Sequence, residues 1–275
     1  MPTPLGNLRD ITLRALDVLR DCDLVVAEDT RVARKLLGAL ALPSKPLWSY
    51  REQNAAAATQ PILERAATGR VALVADAGMP AISDPGRELL VAARAAGIAV
   101  EVLPGPSAFI CAAVLSGFAL ERLCFRGFLP RRAGERETVL RAALGGDSTT
   151  VFYESPQRVV ATLEALREVA PAAGVFVGRE LTKTYEQQIL GTPDDALAAL
   201  ERPVRGEIVL VLAAARQAVV PYSGAEIDAA IDAALGAGLA TTEIAKRLAK
   251  RRLGERGELY RRTLERKRAT APEDV

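Results

Sequence analysis

The sequence predicts an α/β protein with two α/β domains, whose sheets are mostly parallel or mixed, and a small all-helical, basic C-terminal domain. Short apolar segments such as Val71–Ala75 alternate with helical patterns over the first 215 residues. This alternation is typical of parallel strands that are covered on both faces. A length of 275 residues suits about two domains. We expect the domains to span residues 1–117, 118–215 and 216–275.

The first predicted domain begins with a helix that Asp10 can cap. Asp84 and Pro85 are suited to the N-cap and first position of a later helix that ends at Gly97, and Ser107 is suited to cap the next one. The other expected helices are Thr30–Leu40 and Asn54–Ala67. The expected strands are Asp23–Ala27, Leu47–Tyr50, Val71–Ala75 and Ile98–Leu103.

The second predicted domain continues the same alternation. Its expected helices are Glu135–Leu144 and Ser155–Val169. Its expected strands are Leu123–Phe128, Thr149–Tyr153, Val175–Arg179 and Glu207–Leu212, with Glu186–Leu190 as a candidate antiparallel strand.

Pro221 precedes a segment that we expect to be all helical, with Ser223 and Thr241 or Thr242 as caps. Residues 242–253, followed by Gly254, resemble the first half of a helix-turn-helix. Residues 246–268 carry eleven Lys or Arg and three Asp or Glu, a local charge of +8, although the whole chain carries only +2. This asymmetry predicts a polyanionic partner, with a solvated helix face as the alternative.

Composition excludes several function classes. The chain has no histidine, so Ser-His-Asp and Cys-His nucleophiles and His-bearing zinc sites cannot occur. The three cysteines form no CxxC pair, which favours buried thiols in a reducing compartment and predicts no metal site. Neither an apolar run long enough to span a bilayer nor a signal-peptide pattern occurs, so we expect a soluble, cytoplasmic protein.

Two loops that follow predicted strands are candidates for ligand binding, because ligands of open parallel sheets bind beyond the carboxyl ends of the strands. The first, residues 76–86, has two glycines and two prolines and begins at Asp76, which could bind a hydroxyl or a cationic group. The second is the Pro-Gly-Pro turn at 104–106, which leads into a helix. Either loop could instead be a stiff connection. Neither has the spacing of a nucleotide phosphate loop.

A third loop, residues 178–186, places four charged side chains after an apolar strand. Without histidine, Lys183, Glu180 and Glu186 are the natural candidates for proton transfer. A lysine can act as a base where burial or a neighbouring cation lowers its pKa. A structural ion-pair network is the alternative. The same position argument points more weakly to residues 28–31 and 153–155.

These segments together resemble one family, the small-subunit ribosomal RNA methyltransferase I of bacteria, within the tetrapyrrole methylase superfamily. The resemblance runs in order over residues 1–215, and it is specific as a set rather than in any one motif. The segments that carry it are Thr3–Leu8, Asp10–Thr12, Ala27–Arg31, Asp76–Gly78, Ile82–Gly86, Pro104–Ala108, Gly127–Pro130, Tyr153–Pro156, Arg179–Lys183 and Gly206–Glu207.

The resemblance implies a homodimeric enzyme that uses S-adenosyl-L-methionine to methylate the ribose 2′-hydroxyl of a cytidine in small-subunit (16S) rRNA near the decoding centre. It also implies two α/β domains of the tetrapyrrole methylase type. The rRNA, free or in an assembled 30S subunit, would be the partner, and the basic tail would attract its phosphates. By this resemblance, the donor-binding residues are Asp76, Ala77, Gly78, Ile82, Ser83, Pro104, Gly105, Pro106, Ser107, Ala108, Tyr153 and Glu154. We place Lys183, Glu180 and Glu186 on the acceptor side.

The chain departs from the family pattern at several positions. Histidines that are usual in the family are replaced by Val32, Arg51, Gln53 and Gln157, so they cannot be essential to the chemistry if this chain is active. Ala75 and Met79 replace a usual Ser and Thr. The family's first strand precedes the segment that matches Thr3–Leu8, so we expect a central strand to be missing through a wrongly assigned start codon or a shortened chain, or else a compensated sheet.

Two other functions remain open at this point. The same fold could methylate a small tetrapyrrole, although such a substrate does not need a basic helical tail. Alternatively, the chain could be a non-catalytic nucleic-acid-binding protein whose C-terminal helices bind DNA.

Overall fold

The structure is a computed structural model that describes residues 1–214, 224–250 and 256–269. The chain divides into two compact units, Met1–Ala215 and Arg216–Val275. Both sheets belong to the first unit. The predicted division of that unit at residue 117 stays a prediction.

The first sheet is parallel, as predicted. Its strands are β1 (Leu24–Ala27), β2 (Leu47–Ser49) and β3 (Val71–Val74), in the order β2-β1-β3. The helices that accompany it are α1 (Leu13–Asp21), α2 (Thr30–Ala39), α3 (Ala55–Thr68) and α4 (Arg87–Ala95).

Both faces of this first sheet are covered. Successive side chains of a strand point to opposite faces. Val25 and Ala27 of β1 pack into one apolar cluster with α1 and α2, whereas Leu24 and Val26 pack into another with α3 and α4. This arrangement explains why the strands are apolar throughout rather than alternating.

The second sheet has five strands in the order β4-β5-β8-β6-β7, and only β4 and β5 are parallel neighbours. The strands are β4 (Leu123–Phe128), β5 (Thr149–Glu154), β6 (Val175–Arg179), β7 (Gln187–Gly191) and β8 (Ile208–Leu212). The accompanying helices are α5 (Ala108–Ser116), α6 (Ala133–Leu144), α7 (Val159–Val169) and α8 (Pro193–Ala199). β7 is antiparallel to β6, so the candidate antiparallel strand is confirmed.

Strand β8 lies at the centre of the second sheet. Its five residues are all buried. Ile208, Leu210 and Leu212 belong to the apolar cluster shared with α6, α7 and α8, and Val209 and Val211 belong to the cluster shared with α5. The start of β8 is thereby fixed between two packed layers.

Several local predictions were wrong. Ile98–Leu103 is not a strand, and its apolar pattern reflects single contacts such as the burial of Leu103 against the first sheet.

The free edge of β3 is lined by the first residues of the chain. The Met1 amino group donates to the Leu73 carbonyl at 2.7 Å, and Thr3 and Gly78 exchange backbone hydrogen bonds.

Two predicted helix caps were wrong, and a third is confirmed in its position only. Thr12, rather than Asp10, caps α1, because its side chain accepts from the Ala15 amide. Helix α4 begins at Arg87 after Gly86, whose φ of 139° is open to glycine; Asp84 therefore lies in the preceding loop. Ser107 is the N-cap residue of α5 but makes no side-chain cap hydrogen bond.

The described residues of the second unit form helices and the turns between them, with no strand. The unit contains α9 (Gly224–Gly236), α10 (Thr241–Lys250) and α11 (Arg256–Ala269). These helices pack around Ile231, Ile244, Leu248 and Leu259. Pro221, Ser223 and Gly254 lie outside the described residues, and the helix-turn-helix stays a prediction.

Part of the basic charge of the second unit is neutralised internally. Arg262 Nε lies 2.7 Å from Asp228 Oδ1, and Arg266 pairs with Asp232. Arg247 Nε lies 2.9 Å from Glu243 Oε1. These three acidic residues lie outside residues 246–268, so they lower the charge counted for that segment from +8 to +5.

In the described ranges, no helix has the length and apolarity that crossing a membrane requires. No group of three or more His, Cys, Asp or Glu side chains suited to a metal ion occurs there either.

Candidate functional site

A cavity of about 390 Å³ lies where the loops after β3 and β5 meet the start of β8, and we call it the main cavity. Nine of the twelve predicted donor-binding residues line it: Asp76, Ala77, Gly78, Ile82, Ser83, Ser107, Ala108, Tyr153 and Glu154. Pro104, Gly105 and Pro106 do not line it. The fold thus brings together predicted residues from three separate parts of the chain.

The loop after β3 holds an unusual backbone conformation. Ala81 and Ser83 have φ values of 65° and 64°, which are costly for residues with a side chain. Gly78, with φ 76°, is fixed by its backbone hydrogen bonds to Thr3. A Cβ atom at Gly78 would lie 3.0 Å from Leu5 Cδ2, so the loop also depends on close packing here. Such strain concentrates at ligand sites and is consistent with a binding role.

Acidic side chains dominate the charge of the main cavity. Glu28, Asp76, Asp84 and Glu207 line it, and no Lys or Arg of the described part of the chain does. Burial, as the main cause, and the neighbouring carboxylates of Glu28, Asp76 and Glu207, as lesser causes, together raise the pKa of Asp84 to about 7. Burial also raises the pKa of Glu28, with Asp76 as the next cause. The cavity is therefore suited to a cationic ligand.

The raised pKa of Asp84 makes folding stability depend on pH. The unfolded chain releases this proton near pH 4, its ordinary range, whereas the folded protein holds it until about pH 7. Stability is therefore lost as pH rises between these values. We expect Asp84→Asn to raise the melting temperature by about 2–4 °C at pH 8 and by much less at pH 4.5. A pH-independent difference in scanning calorimetry would contradict this explanation.

An aromatic wall completes the main cavity. The rings of Phe128 and Tyr153 meet edge to face at 5.6 Å between centroids, and Tyr153 also contacts Phe125 at 4.9 Å. Burial raises the pKa of Tyr153 to about 12, so its hydroxyl stays protonated at neutral pH. The wall offers flat apolar surface to a ligand in the cavity.

The carboxylate of Glu154 is committed to the protein itself. Its side chain is fully buried, and its Oε1 lies 2.5 Å from Arg158 Nη2. Oε1 also accepts from the Ser155 amide at 2.7 Å, and Oε2 accepts from Thr162 Oγ1 at 2.8 Å. Glu154 thereby fixes the cavity wall at Tyr153–Pro156.

The three predicted proton-transfer residues lie beside the main cavity but do not line it. Lys183 Nζ lies 2.9 Å from Glu180 Oε1 and 3.1 Å from Glu207 Oε2. Glu180 Oε1 also accepts from the Glu207 amide at 2.9 Å. Glu186 accepts from the Thr182 amide at 2.6 Å. The cluster therefore anchors Glu207, which does line the cavity.

The pKa of Lys183 moves in the direction opposite to that required of a base. Burial lowers this pKa, but the hydrogen bond to Glu180 and the charge of Glu207 outweigh burial and raise it. Burial raises the pKa of Glu180, yet the hydrogen bonds from Lys183 and the Glu207 amide lower it overall. Both side chains are thus charged at neutral pH, and the condition under which Lys183 could accept a proton is not met in this structure.

Eleven further lining residues were not among the predicted donor-binding residues, although Glu28 and Ser155 were weaker candidates by position: Leu5, Glu28, Met79, Asp84, Phe128, Ser155, Pro156, Gly206, Glu207, Ile208 and Val209. The last four come from the start of β8. Because β8 runs antiparallel to its neighbours, its amino end lies at the edge where β5 and β6 have their carboxyl ends. A search restricted to the carboxyl ends of strands could not find this segment. Its apolar sequence after Gly206 and Glu207 nevertheless predicted a strand here.

A second, more polar cavity of about 620 Å³ adjoins the first, and we call it the polar cavity. Glu28 and Asp76 line both cavities. The other residues that line the polar cavity are Asp29, Arg31, Ser49, Arg51, Gln53 and Asn54. They come from the start of α2 and from the segment after β2.

Comparison with known proteins identifies the family. Residues 2–197 match the model of the Tetrapyrrole (Corrin/Porphyrin) Methylases. The chain is 42% identical over 221 residues to the ribosomal RNA small subunit methyltransferase I of Halalkalibacterium halodurans, covering 80% of this chain and 76% of that protein. The protein of the same name from Mesorhizobium japonicum is 40% identical over 269 residues, covering 96% and 90%. The chain therefore belongs to the tetrapyrrole methylase family.

Solved structures agree on the fold. The methyltransferase CobJ superposes with a TM-score of 0.58 at 24% identity, covering 77% of this chain and 91% of that chain. Diphthine synthase superposes with a TM-score of 0.61 at 15% identity, covering 76% and 87%. The predicted fold class, α/β of the tetrapyrrole methylase type with a helical C-terminal region, is confirmed.

Proposed function

We propose that this protein transfers the methyl group of S-adenosyl-L-methionine to the ribose 2′-hydroxyl of a cytidine in small-subunit (16S) rRNA near the decoding centre. The observation that carries the proposal is the acidic main cavity, in a chain about 40% identical to proteins named ribosomal RNA small subunit methyltransferase I. The methyl donor is the cationic substrate that such a cavity suits.

The described residues fit this donor. Its sulfonium carries a positive charge, and five carboxylates line the main cavity without a lysine or arginine among the described lining residues. Two of them are paired from outside the lining, Glu154 with Arg158 and Glu207 with Lys183. The aromatic wall of Phe128 and Tyr153 would accept a flat ring, and the glycine of the loop at residues 76–86 allows close approach to the backbone. Asp76, Ala77, Gly78, Ile82, Ser83, Pro104, Gly105, Pro106, Ser107, Ala108, Tyr153 and Glu154 are proposed to form the donor site.

The role of the protein in this reaction is mainly alignment. The bound donor supplies a methyl carbon made electrophilic by the adjacent sulfonium. Displacement is in line, so the acceptor oxygen must be held on the far side of that carbon. The strained loop and the network around Glu154 keep the walls rigid. Lys183, Glu180 and Glu186 are proposed to hold the acceptor side in shape by fixing Glu207 and the adjoining turn.

The proposal also covers the partner, the oligomeric state and the location of the enzyme. The basic C-terminal segment would attract rRNA phosphates, either on free rRNA or on the assembled 30S subunit. A homodimer and a cytoplasmic location are proposed for this chain, as the family resemblance implies.

Two measurements test the function. Calorimetric titration with S-adenosyl-L-methionine is expected to give micromolar binding. Incubation with small-subunit particles from a strain lacking the modification should then yield one ribose-methylated cytidine, detected by nuclease digestion and mass spectrometry. Particles that already carry the modification are the control. Binding of the donor without methylation of any particle would contradict the rRNA substrate, and absence of donor binding would contradict the methyltransferase activity.

A further inference from the structure

The polar cavity shares a wall with the main cavity, so a molecule bound in the polar cavity would lie next to the proposed methyl donor. We propose that the polar cavity binds the acceptor nucleotide, with Arg31 and Arg51 on its phosphate and Glu28 accepting the proton of its hydroxyl. The inference rests on the proposed function, since it assumes that the main cavity holds the methyl donor. Glu28 and Asp76 are the residues that face both cavities.

Two guanidinium groups of the polar cavity converge on one carboxylate. Arg31 Nη2 lies 2.6 Å from Asp29 Oδ2 and its Nε lies 3.0 Å from Oδ1, which fixes the guanidinium plane. Arg51 Nη2 lies 3.9 Å from Asp29 Oδ2. Both arginines are exposed, so each can turn a further N–H group toward a ligand. The carboxylates of Glu28, Asp29 and Asp76 also line the polar cavity, which therefore carries both signs of charge. A phosphate is the ligand that such a pair of guanidiniums suits.

The same segment offers a polar group that has no partner. The Asn54 side chain is already used, because it donates to the Ser49 carbonyl at 2.9 Å and accepts from the Arg51 amide at 2.7 Å. It thereby holds the turn after β2 in place. The amide of Gln53 has no hydrogen-bond partner among the described residues, and it can donate and accept toward a nucleobase edge.

Glu28 is held at the shared wall through its backbone. Its carbonyl accepts from Arg51 Nε at 2.8 Å and from Ser49 Oγ at 3.2 Å. Its carboxylate has no hydrogen bond or ion pair in the described ranges. The charged groups that face it are Asp76 and Asp84 in the loop after β3, Asp29 before α2, and Arg51 and Glu52 after β2. Burial is the largest cause that raises the pKa of Glu28; the carboxylates of Asp76, Asp29 and Glu52 add to it, and Arg51 opposes them. The raised pKa makes Glu28 a stronger base than an exposed carboxylate.

The proposed step balances without a further reactant. The acceptor oxygen forms a bond to the methyl carbon as the carbon–sulfur bond breaks, and that electron pair remains on the sulfur. The hydroxyl proton passes to the Glu28 carboxylate, which later releases it to water. Asp84, the other carboxylate with a raised pKa, lines the main cavity but not the polar cavity. Its position suits the donor rather than the acceptor.

The phosphate contacts are tested by binding alone, without the methyl donor. The probe is the unmodified small-subunit particle, and affinity is measured by filter binding. Arg51→Gln and Arg31→Gln are each expected to weaken binding about 5- to 10-fold and to lower the salt dependence by about one counterion. Arg167→Gln is the matched control, because its side chain has the same 47% exposure as Arg51 and also has a carboxylate near 4 Å, Asp194. Equal affinities of Arg51→Gln, Arg31→Gln and Arg167→Gln would overturn the phosphate assignment.

The role of Glu28 is tested with the isosteric variant Glu28→Gln. Single-turnover methylation at saturating donor is expected to slow by about 10²- to 10⁴-fold, with particle affinity changed less than about twofold. Because Glu28 also lines the main cavity, donor affinity is measured separately, and saturation keeps any loss of it out of the measured rate. Carboxyl carbon resonances of the protein without donor give a second readout, since Glu28→Gln should remove one glutamate that titrates above the ordinary range. An unchanged rate, or a glutamate spectrum without such a resonance, would overturn the assignment of Glu28. Failure of the unaltered protein to methylate particles would instead contradict the proposed function.

Discussion

Replacing Arg158 with methionine is expected to lower the free energy of unfolding by about 3–5 kcal/mol, because it leaves a buried charge without its partner. The carboxylate of Glu154 is completely buried, and Arg158 is its ion-pair partner at 2.5 Å. Arg158 also donates to the Leu129 carbonyl at 3.0 Å and to Ser155 Oγ at 3.1 Å. Methionine keeps much of the length and apolar surface of arginine but makes none of these contacts. Chemical denaturation at neutral pH measures the change.

Two variants on helix α7 separate the buried ion pair from other effects. Thr162→Val removes one hydrogen bond to Glu154 and keeps the ion pair, so a loss of about 1–2 kcal/mol is expected. Arg167→Met removes an exposed arginine from the same helix and should change stability by less than about 0.5 kcal/mol. If Arg158→Met behaved like Arg167→Met, the ion pair would not stabilise the cavity wall.

The sequence was sufficient for those parts of the fold that depend on local pattern. β1 and β8 are apolar on both faces, and both are buried in sheets covered on both sides. Ile98–Leu103 is also apolar apart from Glu101, but it forms no strand, and only Leu103 in it is buried. A strand also requires a neighbour for its backbone hydrogen bonds, and that pairing depends on residues far away in the chain.

One missed helix was readable in the sequence. Thr192 caps α8 and accepts from the Asp195 amide, while the Asp195 side chain accepts from the Thr192 amide. Pro193 occupies the first turn, where its missing N–H costs nothing. A threonine, a proline and an acidic residue three positions after the threonine form a capping box, and this signal was sufficient to predict the helix.

The candidate site was predictable in position but not in protonation. The strand-end rule found the loop after β3 and the end of β5, yet the antiparallel β8 brought Gly206 and Glu207 to the same cavity from the opposite direction. The pKa of Lys183 is raised first by the hydrogen bond to Glu180 and then by the charge of Glu207, which lies 24 positions away. Composition could identify the candidate acids and bases, but only the fold decides which of them are paired.

The charge of the main cavity predicts a large, selective effect on donor binding. At pH 8, the double variant Asp76→Asn/Asp84→Asn is expected to weaken the binding of S-adenosyl-L-methionine about 10- to 100-fold. Both carboxylates line the cavity, and no lysine or arginine among the described lining residues neutralises them. The asparagines keep the size of the side chains, so the shape of the cavity is preserved.

The product supplies the control for this effect. S-adenosylhomocysteine lacks the sulfonium charge, so its affinity should change less than about threefold in the same variant. The unaltered protein should also lose donor affinity, but not product affinity, as pH falls through about 7, because Asp84 takes up a proton and its attraction for the cation is lost. Isothermal titration of both ligands at pH 6 and pH 8 measures the selectivity. Equal losses for the two ligands would mean that the carboxylates shape the cavity rather than attract the donor's charge.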